Sequence, residues 1–62
     1  MPWFVCFDVA PATAHGVWRR IGLSSIANTA EDAVAEVRAA MAVKHGPLGE
    51  PADVFQYQEN DY

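Results

Sequence analysis

Trp3-Phe4-Val5-Cys6-Phe7-Asp8-Val9 is built almost entirely of aromatic and β-branched residues, which suit an extended, pleated backbone. Side chains alternate across a strand. Trp3, Val5, Phe7 and Val9 therefore share one face, and Phe4, Cys6 and Asp8 share the other. The first face is wholly apolar, and the second is apolar as far as Asp8. A strand with one wet face alternates more cleanly between apolar and polar residues, so this pattern predicts the central strand of a sheet.

Ala10 to Gly16 reads as a connection, because Pro11 has no N–H for a ladder and Gly16 tolerates positive φ. Val17 to about Ala27 reads as a second strand. Val17, Ile21 and Leu23 lie on one side of it with Arg19 between them, and Trp18 and Arg20 lie on the other. Gly22 and the Ser24-Ser25 pair predict a bulge or bend before the strand resumes at Ile26.

A helix follows. Thr29 is a good N-cap with Asp32 three residues on, and Asn28 is the alternative cap. Glu31 and Asp32 in the first turn suit the helix dipole. Ala30, Ala33, Val34, Val37, Ala40 and Met41 form one apolar stripe, which leaves Glu36 and Arg38 in solvent. Lys44 and His45 fill the last turn, Gly46 suits a left-handed cap and Pro47 blocks continuation. Residues 46–53 are a loop with two prolines. Val54 to Gln58 reads as a third strand, with Phe55 and Tyr57 on one face and Val54, Gln56 and Gln58 on the other. The expectation is a single domain of residues 1–58 with a polar tail at 59–62.

A long hairpin makes the first two strands antiparallel, and a helical crossover makes the second and third parallel. The third strand then pairs beside the first. The predicted fold is α+β, a ββαβ unit with a three-stranded sheet of order 2-1-3 and one helix on one face. Val5, Phe7, Ile21, Leu23, Phe55 and Tyr57 are assigned to the covered face. The other face carries Phe4, Cys6, Trp18, Val54 and the stem of Arg20, with no second helix to cover it. Large wet apolar patches are uncommon in monomers, so the prediction is a homodimer or docking on another protein, through this face or an exposed strand edge. The expected contact residues are Phe4, Cys6, Trp18, Arg19, Arg20 and Val54.

Composition points the same way. The chain has 62 residues, 52% of them hydrophobic and 19% charged, with a single cysteine. A domain of this size buries only ~60% of its unfolded surface, and one cysteine forms no internal disulfide. Self-association or a partner is the expected compensation. No apolar run approaches the ~20 residues of a membrane span. No basic, cleavable leader opens the chain, and the lone thiol suits a reducing compartment. Cytoplasmic location is the expectation. Net charge is −4, and the whole excess lies in residues 46–62, where Glu50, Asp53, Glu59 and Asp61 have no base among them. This argues against general binding to a phosphate backbone.

Chemical signatures are sparse. Cys6 with His15 or His45 could form a thiol–imidazole pair, but a thiol among strand aromatics is ordinarily a small hydrophobe. No close-spaced ligand pair points to a metal, and no cofactor is expected. Trp18-Arg19-Arg20 is the sole basic–aromatic cluster. It reads as an interface hot spot, as a packed tryptophan with arginines paired to Asp8 or the acidic tail, or as a nucleic-acid contact of a regulator. The acidic segment 50–62 reads as solubilising in preference to nucleic-acid mimicry.

The segment Ser25-Ile26-Ala27-Asn28-Thr29-Ala30-Glu31-Asp32-Ala33 resembles the strand-to-helix junction of small ββαβ proteins, including antitoxins of the HicB type. That likeness implies a regulatory role, although residues up to 62 hold no counterpart of the antitoxins' DNA-binding extension. Abundant alanine and valine, and arginine in place of lysine, suit a GC-rich genome. Short chains of this build resemble bacteriophage accessory proteins, which implies binding to a host or phage protein. The opening Met1-Pro2 resembles small tautomerases that use an N-terminal proline amine as base. Those enzymes pass from the first strand directly into a helix, whereas here the helix waits until Thr29, and their catalytic arginines have no matching positions. A non-enzymatic interaction protein is the leading expectation.

Overall fold

A computed structural model describes residues 1–58, so the predicted tail at 59–62 lies outside the described residues. Four elements follow in order: β1 (Trp3–Val9), β2 (Arg19–Ser25), α1 (Ala30–His45) and β3 (Asp53–Gln56). The sheet has the order β2-β1-β3 and both pairings are antiparallel. The architecture is the α+β, ββαβ unit that the sequence predicts, with the most apolar strand at the centre. No helix is long and apolar enough to cross a membrane among the described residues.

The helix begins and ends on the predicted residues. Thr29 is extended (φ −128°, ψ 160°) and its Oγ1 accepts from the Asp32 N–H at 3.1 Å. At the other end Gly46 takes φ 75° and its N–H donates to the Ala42 carbonyl at 2.9 Å. Ala33, Val37 and Met41 are buried against Val5 and Phe7, with Trp3, Ile21, Leu48 and Val54 packed around them. The stripe is narrower than predicted, for Ala40 is exposed.

Arg38 also departs from expectation. Instead of extending into solvent, it lies 5.0 Å from the centroid of the Phe7 ring and donates from Nη1 to the carbonyls of Leu48 and Gly49, both at 2.8 Å. A guanidinium has five donors in a planar fork, so one side chain can cover the edge of the core and hold the return loop. The loop's exposed carbonyls supply partners that a helical wheel cannot show.

Three readings of the strands are corrected. β2 spans Arg19–Ser25, shorter at both ends than predicted. It has no bulge, since its register with β1 runs unbroken from Trp3↔Ser25 to Val9↔Arg19. In β3 the faces are reversed. The register pairs Val5 with Val54 and Phe4 with Phe55, which puts Val54 on the helix side and Phe55 on the open side. A one-residue difference in strand register exchanges every side chain between faces. The ladder continues past β3, with the Tyr57 N–H donating to the Pro2 carbonyl at 3.0 Å, so Tyr57 belongs with Phe55 by alternation.

Candidate functional site

The open side of the sheet is organised around Phe4, the second residue of the middle strand. Its partner on β2 is Ser24, and its ring leans along that strand toward Gly22, which stands opposite Cys6. A Cβ built on Gly22 would lie 2.5 Å from Phe4 Cε2, 2.7 Å from Phe4 Cζ and 2.9 Å from Cys6 Sγ. The ring and the thiol therefore occupy the space that any side chain at position 22 would need. On the other flank, Phe55 packs at 5.6 Å between ring centroids and Tyr57 approaches at 6.5 Å, nearly edge-on. These are ordinary separations for attractive aromatic pairs. The Tyr57 hydroxyl reaches back to Ser24 on β2, with the two oxygens 2.8 Å apart. A strap of one phenol thus crosses the sheet beside Phe4.

This packing partly closes the side that the helix leaves uncovered. Phe4 and Tyr57 are half-buried and Cys6 is buried, while Phe55 remains 45% exposed. The sequence reading placed Phe4 and Cys6 here correctly and missed Phe55, Tyr57 and Ser24. Val54, expected as a contact residue of this surface, lies instead against the covered core. Trp18 stands just ahead of β2, outside the sheet proper, and is 66% exposed.

Arg20 and Asp8 face one another across the β1–β2 ladder. Arg20 Nε donates to Asp8 Oδ1 at 2.9 Å and Nη2 approaches Oδ2 at 3.5 Å. The hydrogen bond from Arg20, followed by its charge, holds the Asp8 carboxyl below its ordinary value, and Asp8 raises the guanidinium in turn. This is the Asp8 pairing that the sequence offered for the arginines. It commits Arg20 internally, while Arg19 lies opposite Val9 and has no carboxylate partner among the described residues.

The other sequence candidates are dispersed. Among the described residues, no group of three or more His, Cys, Asp and Glu side chains could hold a metal ion. Pro2 lies in a shallow groove of about 280 Å³ shared with Met1, Ile26, Asn28 and Gln56. Gln56 Nε2 donates to the Met1 carbonyl there at 3.0 Å. Arg19 and Arg20 pair with Val9 and Asp8 at the opposite end of β1, so no arginine of β2 approaches Pro2. A second depression, about 350 Å³, runs between α1 and the return loop, with Val34, Pro51 and Val54 as its apolar wall and Glu31 and Glu50 beside it. No family model, no curated protein and no solved structure matches the chain.

Proposed function

We propose that the protein acts without chemistry of its own, as a small interaction module that binds a protein through the open side of its sheet. The observation that carries this reading is the Phe4–Phe55–Tyr57 cluster on the side no helix covers, with Phe55 45% exposed. Aromatic side chains with one free face give large contact area at low ordering cost and are characteristic anchors of protein interfaces. The preferred occupant is an apolar or aromatic segment of a protein partner, because the surface offers rings and few free charges. Arg20 and Asp8 already neutralise each other at its end. An accessory role in a bacteriophage or mobile element, in a reducing compartment such as the cytoplasm, suits the composition and the free Cys6 thiol.

The test compares three immobilised proteins: the parent, Phe55→Asp on the open side, and Val43→Asp on the exposed back of the helix. A protein retained by the parent and by Val43→Asp but lost from Phe55→Asp supports the reading. Retention indifferent to Phe55→Asp, or no specific retention from the native source, counts against it.

A further inference from the structure

A free edge, not a face, gathers most of the exposed apolar side chains. Val17 (75% exposed), Trp18 (66%), Leu23 (42%) and Ile26 (87%) all lie in or beside β2. β2 is an edge strand of seven residues and pairs regularly with β1; its charges, Arg19 and Arg20, stand together at its start with Arg20 paired to Asp8, and the other five residues include no charge, proline or bulge. Natural sheets ordinarily blunt such an edge with one of those devices.

The ladder shows which of its peptide groups are unused. On β1, the carbonyls of Pro2 and Cys6 accept from Tyr57 and Ala52, so the even residues of β1 turn toward β3 and the odd ones toward β2. Peptide groups alternate along an antiparallel strand. Ile21 and Leu23 are therefore bonded to β1, and Arg20, Gly22 and Ser24 present their N–H and C=O groups outward.

We infer that β2 pairs antiparallel with β2 of a second copy, about a two-fold axis at Gly22, joining two sheets into one of six strands. That register uses all seven residues. It sets Gly22 against Gly22, Arg20 against Ser24 and Arg19 against Ser25. It sets Leu23 against Ile21 on the helix side and, one step beyond the strand, Trp18 against Ile26 on the other. The outward groups of Arg20, Gly22 and Ser24 all find partners, the exposed Trp18 and Ile26 meet each other, and the exposed Leu23 meets the half-buried Ile21. Other two-fold registers shorten the ladder. Centring on Arg20 also sets the two arginines directly opposite, which is destabilising, and centring on Ile21 sets Arg19 against Leu23. The contact is isologous and closes on itself.

The pairing is tested on the full chain by sedimentation and by register-specific disulfides. Trp18→Cys and Ile26→Cys are made separately in a Cys6→Ala background. Mixed together, they are expected to cross-link under mild oxidation. Each alone is expected to stay uncross-linked, because identical positions eight residues from their pairing partner lie ~26 Å apart along the strand. Leu23→Lys, with folding checked by circular dichroism, is expected to weaken the parent's self-association at least tenfold. Strictly monomeric parent protein at ~1 mM, self-linking as fast as mixed linking, or no effect of a folded Leu23→Lys overturns the pairing. The edge and the open side are separate surfaces, so a monomer that still loses its bound protein on Phe55→Asp would leave the proposed function standing.

Discussion

The covered and open sides of the sheet draw on the same strand and are closed by different means. On the covered side, Val5 and Phe7 are sealed beneath Ala33, Val37 and Met41. The small alanine lets the helix settle close, and the branched side chains fill the space between. On the open side, Phe4 and Cys6 have no helix above them. They are screened by the absence of a side chain at Gly22, by the ring of Phe55 and by the Tyr57–Ser24 strap. The first closure depends on volume filled, the second on a vacancy and on stacked rings. A chain too small for a second helix can still shelter one aromatic of its second face, but the outermost ring stays wet.

The largest effect should come from breaking the covered side. Phe7→Ala removes a fully buried ring that also lies under Arg38. The expected loss is ~3–5 kcal/mol, comparable to the whole stability of a small domain, and urea unfolding should show little folded population. A moderate effect is expected where the open side depends on its vacancy. Gly22→Val must displace the Phe4 ring or the Cys6 thiol and should cost ~1–3 kcal/mol. Adding Phe4→Ala to Gly22→Val should cost less than the sum of the two single changes, since the departing ring makes room. Additive losses would show that ring and glycine are not coupled. The smallest effect belongs to the exposed Asp8–Arg20 pair. Because Arg20 depresses the folded-state pKa of Asp8, the pair's contribution is present above the carboxyl's unfolded pKa and fades as pH falls through the folded one. Asp8→Asn should flatten that part of the acid limb of a pH–stability curve, and added salt should reduce the difference.

The helix and the strand order were legible because several independent signals agreed. Thr29, Asp32, Gly46 and Pro47 punctuate the helix, and β1 is apolar on both faces while neither neighbour is. The faces of β3 were not legible. With four residues, Asp53–Gln56, the strand carries too little alternation to fix its register, so the pattern alone does not say whether Phe55 or Val54 faces the core. The room beneath the helix suits the smaller side chain, and Phe55 finds its partner directly across the ladder in Phe4. Gly22 was noticed for the wrong reason, as a bulge, because a close approach from a neighbouring strand leaves no mark in local sequence. The candidate surface was legible only where β1 supplied it, at Phe4 and Cys6. The strap depends on a contact between residues 24 and 57 that no short-range pattern encodes.

The two indoles of the chain, Trp3 packed beside the core and Trp18 in water, make the molecule its own pair of optical probes. Emission from the sheltered ring follows the integrity of the interior, and emission from the wet one follows whatever comes to lie along the β2 edge. One spectrum can therefore separate loss of structure from a change of company, without a label attached to either.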